Sequence, residues 1–147
     1  MIKKLLIALV VLIGTSAAAA ARDTYSHDVS VLPQAAQTIL AKHFKAKVSF
    51  VKIDKDFGRV SEYEVILTNG AEISFDRDGN WKNVEVGDNA TIPSAFIPSL
   101  IAEYVKANMS GKKIVGIEKK RSGYDVELSN GVDIKFDKNG QFVRYDD

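Results

Sequence analysis

The sequence contains two copies of one 22-residue pattern, and this repeat constrains the fold more than any other feature. Residues 63–84 read YEVILTNGAEISFDRDGNWKNV, and residues 124–145 read YDVELSNGVDIKFDKNGQFVRY. The copies are 61 residues apart, since 124 − 63 = 61, and 9 of the 22 aligned pairs are identical. The identical positions are turn residues and alternating apolar residues. The repeat therefore predicts two similar antiparallel β-units.

A helical pattern precedes each copy. Five positions spaced i, i+3, i+4, i+7 and i+8 mark one helical face in each half. They are Ala36, Ile39, Leu40, His43 and Phe44 in the first half, and Ile97, Leu100, Ile101, Tyr104 and Val105 in the second. The common offset of 61 makes Tyr104 the expected counterpart of His43. Helices are expected over about residues 33–45 and 94–107, each near a proline that suits a helix start.

Four strands are expected after each helix. They lie near residues 48–54, 62–68, 71–75 and 81–86, and again near residues 113–119, 124–129, 132–136 and 141–145. The pairs Asn69-Gly70 and Asn130-Gly131 predict two-residue turns with positive φ at both positions. Because every connection is short, the sheet should be antiparallel. The predicted fold is α+β, with tandem helix-plus-four-strand repeats, one continuous eight-stranded sheet and the helices on one face.

The two halves also differ in length at two places. At an offset of 64, Val51–Asp54 matches Val115–Glu118. This alignment predicts three additional residues between helix and first strand in the second half, and three additional residues in the first hairpin of the first half. That longer hairpin, Lys55–Ser61, carries Phe57 and Arg59 and breaks the symmetry of the repeat.

The first 21 residues have the pattern of a secretory signal peptide. Lys3 and Lys4 precede the apolar stretch Leu5–Ile13, and the small residues Ala17–Ala21 suit a cleavage site. The apolar stretch is shorter than the ~20 residues that a spanning helix needs. We therefore expect export to the periplasm of a Gram-negative bacterium or secretion, with no stable membrane insertion after cleavage.

Composition excludes several functional classes. The sequence has no cysteine, which excludes disulfides, thiol catalysis and cysteine-bound metals. Without Lys3 and Lys4, 20 − 2 = 18 basic residues face 19 acidic ones. This near-neutral balance argues against nonspecific nucleic-acid binding, which needs a basic surface. No nucleophile elbow, HExxH motif or phosphate-binding loop occurs. The sequence predicts no catalytic residues, no enzyme activity and no cofactor.

One acidic segment invites a calcium-binding interpretation. Asp76–Asn80 resembles the start of an EF-hand loop, but that loop needs Gly at position 6 and Glu at position 12. The sequence has Trp81 and Gly87 there. His27 and His43 lack the spacing and the further ligands of a metal site. We predict no metal site, and small-ligand or calcium binding at the acidic turn is the alternative function.

The repeated motif Y-x-V-x-L-x-N-G-x-x-I-x-F-D-x-[DN]-G-x-[WF], with a helix before each copy and a signal peptide before both, resembles the PepSY-like exported proteins. Their fold is likened to that of the β-lactamase inhibitory protein. The resemblance covers about Val31–Asp147 and implies PepSY-like repeats at residues 31–86 and 92–147, after the signal peptide at residues 1–21. It also implies a noncatalytic module that inhibits or regulates a protease. No inhibitory residue carries over, because the matched positions are scaffold.

The remaining candidate site is a binding surface for a protein or peptide. Strand alternation places acidic and polar residues with Ile66 on a sheet face that is expected to be open to water. Glu64 and Glu72, expected to face each other, are interpreted as part of a solvated face. Trp81 lies on this face by simple alternation, whereas a bulge at Gly79 would turn it towards the helices, and both alternatives remain open. The candidate partner-binding residues are Phe57, Arg59, Glu64, Ile66, Glu72, Trp81 and Lys135.

Overall fold

The computed structural model describes residues 23–87 and 89–146, and the predicted signal peptide lies outside them. The described residues form one antiparallel nine-stranded sheet, in which the strands follow one another in sequence order, and two α-helices. The fold class is α+β. The strands are β1 (Thr24–Ser26), β2 (Val48–Asp56), β3 (Arg59–Leu67), β4 (Glu72–Asp76), β5 (Trp81–Glu85), β6 (Ile114–Lys120), β7 (Gly123–Leu128), β8 (Asp133–Asp137) and β9 (Phe142–Asp146), and the helices are α1 (Gln34–His43) and α2 (Ser99–Asn108).

Each helix begins directly after a proline, Pro33 or Pro98. The second helix therefore starts later than the pattern predicted. Residues 94–96 form a separate 3-10 turn, because a residue that precedes proline, here Ile97, is disfavoured in the α conformation.

A single core joins the helices to one face of the sheet. Ala36 of α1 and Ile101 of α2 are both fully buried and belong to the same hydrophobic cluster. One side chain with no exposed surface comes from each of the seven strands β2 to β8: Val51, Val65, Ile73, Val84, Ile117, Val126 and Ile134. The apolar face is therefore continuous across the boundary between the two halves.

The sheet has one strand more than the eight that were predicted. Thr24–Ser26 forms an edge strand that pairs with Val51–Ile53 of β2. Tyr25 packs against Phe50, with ring centroids 6.0 Å apart. Three residues are too few to show a strand period, so this strand depends on tertiary contacts that the sequence pattern does not reveal.

The prediction of two-residue turns at Asn69-Gly70 and Asn130-Gly131 is wrong. Leu67 donates its N–H to the carbonyl of Ala71 at 2.9 Å, which encloses three loop residues. Only the glycine has positive φ, 84° at Gly70. The turn is thus a type I turn followed by a left-handed residue. The Asn69 side chain accepts a hydrogen bond from the N–H of Ala71, which favours this form.

Strand register corrects the alignment of the two halves. Lys52 pairs with Glu64, whereas Glu118 pairs with Asp125, the counterpart of Glu64 at an offset of 61. Lys52 therefore corresponds to Glu118, at an offset of 118 − 52 = 66 rather than 64. The first hairpin is longer by 66 − 61 = 5 residues instead of three. The error arose because a slip of two residues leaves a strand's alternating pattern unchanged.

The helices are misaligned in the same way. A Cβ at Gly79 would touch Pro33 and Ala36, and a Cβ at Gly140 would touch Pro98 and Ile101, which gives an offset of 98 − 33 = 65. The second half therefore has one additional residue between helix and strand (66 − 65 = 1), not three. An error of four residues is close to one helical turn and preserves the apolar face.

This alignment changes the counterpart of His43. At an offset of 65, His43 corresponds to Asn108, and Tyr104 corresponds to Ile39. His43 packs against the ring of Phe96, with centroids 5.2 Å apart. The packing role expected for His43 is therefore supported by its contact with Phe96, and the argument from a Tyr104 counterpart is not needed.

Replacing Gly123 by alanine should destabilise the protein by about 3 kcal/mol or more. Gly123 has φ 144°, and a Cβ there would lie 2.0 Å from the carbonyl oxygen of Phe136. Gly131→Ala is the matched control, because φ is 84° but no atom lies within 4 Å. The control should lose only about 1–2 kcal/mol for its left-handed conformation. Urea unfolding measures both, and equal losses would contradict the steric cause.

Candidate functional site

The hairpin of β2 and β3 extends beyond the rest of the sheet. The pairing of β3 with β4 ends at Glu62 and Asp76, and the pairing of β2 with β1 ends at Ile53. Residues 55–61 therefore have no further described strand on either side. Lys55 pairs with Val60 and Asp56 with Arg59, so that two residues form the turn.

Phe57 occupies the tip of this hairpin in an unusual conformation. Its exposed fraction is 104%, and its φ is 50°. It is the only non-glycine among the described residues with positive φ. Gly58 follows with φ 76°, which gives the turn type that favours Asn-Gly. A bulky side chain in this left-handed conformation costs roughly 1–2 kcal/mol. Phe57 therefore lowers the stability of the turn, and because its side chain is exposed, burial does not offset this cost.

The open face, defined as the sheet face opposite the helices, is strongly acidic. Apart from Asp23 beside Lys52, the hairpin-tip residues Asp56 and Arg59, and the turn residues Asp76 and Asp137, the register places ten carboxylates and five basic side chains on it, a formal charge of 5 − 10 = −5. The carboxylates are Asp54, Glu62, Glu64, Glu72, Glu85, Glu118, Asp125, Glu127, Asp133 and Asp146, and the basic residues are Lys52, Lys82, Lys120, Lys135 and Arg144.

Two lysine-centred networks organise part of this charge. Lys52 Nζ lies 3.0 Å from an Asp54 oxygen and 3.7 Å from a Glu64 oxygen. On the other half of the sheet, Lys120 and Lys135 both donate to Asp125. Burial acts against ionisation of Asp125, but these two lysines hold the pKa of its carboxyl below its ordinary value. The lysines therefore stabilise the ionised carboxylate.

Other carboxylates on the open face are held in an unfavourable environment. Burial raises the pKa of Glu64; nearby Lys52 opposes this shift, whereas Asp54 and Glu62 add to it. Burial also raises the pKa of Glu72. Glu64 has an exposed fraction of only 9%, so the interpretation of this region as a plain solvated face is wrong. The open face carries excess negative charge that an approaching cation would relieve.

Most of the predicted site residues lie on the open face or on the projecting hairpin, but they do not form one cluster, because Lys135 on β8 is five strands away from Glu64 on β3. Glu64, Ile66, Glu72 and Lys135 lie on the open face, and Phe57 and Arg59 lie on the projecting hairpin. Glu64 and Glu72 are not directly opposite each other, because Glu64 pairs with Ser74 and Glu72 with Ile66. Glu64 and Glu72 are therefore diagonal neighbours on adjacent strands and not a directly opposed pair.

Trp81 lies on the other side of the sheet. A bulge between Ser74 and Phe75 brings Trp81 opposite Phe75, on the face that carries the helices. Its ring packs edge-on against Phe96 at 5.3 Å, and Lys119 Nζ lies 4.3 Å from its ring centroid. Trp81 therefore lies on the side that the bulge alternative predicted and does not belong to the open face, but the extra residue is Lys82, between Trp81 and Asn83, and the bulge is not at Gly79.

The acidic turn at Asp76 is closed by its own hydrogen bonds. One Asp76 carboxylate oxygen accepts from the N–H groups of Asp78 and Asn80, each at 2.9 Å. The other accepts from the Asn80 side chain at 3.2 Å. Although burial opposes it, these bonds lower the pKa of Asp76. In the described part of the chain, no group of three or more His, Asp or Glu residues could hold a metal ion.

Sequence reasoning missed two features of the site. Lys52 and Lys120 organise the charge networks, but no motif marks them, since their roles depend on strand register. The strained conformation of Phe57 was also missed, because Phe-Gly is not a common sequence for this turn. The glycine at position 58 was the one available signal.

Comparison with known proteins gives matches over most of the chain. The family model described as "Putative beta-lactamase-inhibitor-like, PepSY-like" matches residues 61–144. A solved "putative periplasmic protein of unknown function" from Bacteroides vulgatus is 40% identical, with a TM-score of 0.80, and the match covers 86% of this chain and 100% of that one. No curated protein matches the chain.

Two further solved structures are each 36% identical, and both matches cover 85% of this chain and 97% of the other. One is described as a "putative calcium-regulated periplasmic protein" from Bacteroides thetaiotaomicron, with a TM-score of 0.78. The other is described as a "putative periplasmic protein" of the DUF2874 family from Bacteroides vulgatus, with a TM-score of 0.76.

Lowering the pH from about 7 to about 5 should stabilise the protein through Glu64 and Glu72. Their pKa values are raised in the folded state, so that above the unfolded-state pKa the folded protein binds more protons than the unfolded chain. Urea unfolding across this range should show a smaller pH dependence for Glu72→Gln than for the wild type. Glu103→Gln, on the exposed surface of α2, is the control. An unchanged dependence in Glu72→Gln would contradict the assigned cause.

Proposed function

Since this chain belongs to the PepSY-like, beta-lactamase-inhibitor-like family, we propose that it is an exported, noncatalytic binding module that engages a protein or peptide through the open face and the tip of the β2–β3 hairpin. Inhibition or regulation of a protease is the specific form of this function that the resemblance favours. A binding function needs no catalytic constellation, and the sequence contains no motif for one.

The observation that carries the proposal is Phe57. Aromatic side chains commonly dominate the energy of protein interfaces. Phe57 is an aromatic residue with an exposed fraction of 104% in a backbone conformation that favours Asn or Gly. Its presence lowers the stability of the isolated protein and offers an anchor to a partner. The neighbouring Arg59 adds a basic group to the same tip.

The charge of the open face supports a partner with a basic contact surface. Excess negative charge attracts such a partner over long range and increases the association rate. Ile66 supplies an apolar contact among the carboxylates, and Phe50 lies directly opposite it on β2. The open face therefore offers an apolar patch beside an acidic field, an arrangement that suits a mixed basic and apolar segment.

Export is supported by two independent observations. The first 21 residues have the pattern of a signal peptide. The solved relatives are described as periplasmic proteins. No helix within the described residues is long and apolar enough to cross a membrane.

The two halves are further proposed to be tandem copies of one unit. The corrected offsets support this, since each half has a helix followed by four strands in the same order. Both first strands have an irregularity at equivalent places, between Val48 and Phe50 and between Ile114 and Gly116. In this interpretation the longer first hairpin is an addition to a common scaffold, which supports a functional role for its tip.

Phe57→Asn should separate binding from stability. Asparagine tolerates the left-handed conformation, so the free energy of unfolding should rise by about 1 kcal/mol. Affinity for a partner captured from periplasmic extract and identified by mass spectrometry should fall about tenfold or more, as expected for loss of an aromatic anchor. Urea unfolding and calorimetry measure the two effects.

Leu100→Ala is the matched control for this experiment. Leu100 is also an exposed apolar residue, with an exposed fraction of 48%, but it lies on α2, away from the open face. It should leave affinity unchanged. Equal affinity of the wild type and Phe57→Asn would remove the hairpin tip from the proposed interface.

Calcium binding is the second candidate function, and the description of the Bacteroides thetaiotaomicron relative favours it. Calcium prefers oxygen ligands, and the strands of the open face carry ten carboxylates. Since no three His, Asp or Glu residues of the described chain are already grouped to hold a metal ion, binding would require side chains to rearrange and should be weak. Titration with calcium to about 1 mM, a concentration that suits weak extracellular sites, should release or absorb heat in a calorimeter. Glu72→Gln should weaken this signal, and Asp78→Asn in the closed turn should not. Absence of heat from the wild type would eliminate the candidate.

A further inference from the structure

The last strand, β9, has an outer edge that no described strand covers. It pairs with β8 on its inner side only. Tyr145 and Val143 have exposed fractions of 43% and 54%. An uncovered strand edge with apolar side chains is a template for pairing with another strand.

The first half shows how the same surface is covered within the chain. At an offset of 61, β9 corresponds to β5, whose outer edge pairs with β6. Val84 lies opposite Ile117 there and has no exposed surface. Among the described residues, its counterpart Tyr145 has no such neighbour, so the second half leaves exposed the surface that the first half buries.

The aromatic side chains at this edge also hold one another in place. Phe142 and Tyr104 stack, with ring centroids 4.8 Å apart and an interplanar angle of 7°. Tyr145 lies 5.0 Å from Phe142, and its hydroxyl is 2.8 Å from the Tyr104 hydroxyl. These contacts hold the three rings in one arrangement, which lowers the entropy cost of binding on this surface.

The charge pattern of β9 is complementary to itself. Arg144 and Asp146 lie on the same face of the strand, on either side of Tyr145. If two β9 strands pair antiparallel with Tyr145 opposite Tyr145, each Arg144 lies opposite the Asp146 of the other copy. The pattern thus favours a second copy of this chain over an unrelated strand.

We propose that the β9 edge is a homodimer interface, in which the β9 strands of two copies pair antiparallel across a two-fold axis and continue the sheet from one copy to the other. Such an interface is isologous and closes after two copies. With Tyr145 opposite Tyr145, only Arg144, Tyr145 and Asp146 of each copy pair among the described residues of the five-residue strand, so we expect a weak dimer, with a dissociation constant in roughly the micromolar range. This surface lies at the far edge of the sheet from the β2–β3 hairpin and goes beyond the proposed function.

Charge reversal tests the pairing directly. In the Arg144→Asp variant, the new aspartate of one copy lies opposite Asp146 of the other copy. In the Asp146→Arg variant, the new arginine of one copy lies opposite Arg144 of the other copy. Each single variant should therefore dimerise at least about tenfold more weakly than the wild type. An equal mixture of the two variants should form a heterodimer, because both opposing pairs then regain opposite charge. The double variant R144D/D146R should again form a homodimer.

Analytical ultracentrifugation of the full mature chain, from about 1 µM to 1 mM, measures these equilibria. Thermal unfolding checks each variant, because Asp146 also pairs with Lys135 at 3.6 Å. If Asp146→Arg fails to fold, Tyr145→Lys replaces it and should abolish dimerisation. A wild type that stays monomeric up to about 1 mM, or a dimer that the charge reversals leave unchanged, would overturn the proposal.

Discussion

The pairing of β5 with β6 is the interaction on which the rest of the structure depends. It is the junction between the halves, and Val84 and Ile117, which have no exposed surface, meet there. Phe96, from the segment between the halves, packs against Trp81 and Phe44. An isolated half of about 60 residues would bury too little surface for secure stability. The junction makes one core from both halves, in a chain that has no cysteine to form a disulfide.

The elements that the sequence predicts well are those that depend on local chemistry. The apolar periods and the glycine turns located both helices and eight of the nine strands. The errors are errors of register, at Lys52 and at His43, where a slip of two residues in a strand or of about one turn in a helix leaves the pattern unchanged. Strand β1 was missed because it exists only through pairing with β2.

The sequence predicts which residues lie on the candidate surface better than it predicts how their side chains interact. Alternation placed Glu64, Ile66 and Glu72 on one face, as the structure does. It did not determine the face of Trp81, because one extra residue of β5, Lys82, lies opposite the step from Ser74 to Phe75 and reverses the side on which Trp81 lies. Nor did it indicate the lysine networks or the strain at Phe57, which arise from tertiary pairing and turn geometry.

The sequential strand order has a consequence for folding. Each strand pairs with strands that neighbour it in the sequence, and no crossover separates partners. Contacts between residues that are close in sequence form quickly, since little chain entropy is lost in closing the intervening loop. A chain that emerges amino end first can add each strand to a sheet that has already formed. The fold can therefore grow progressively from β1 towards β9, so that β9, one of the two edge strands among the described residues, is added last.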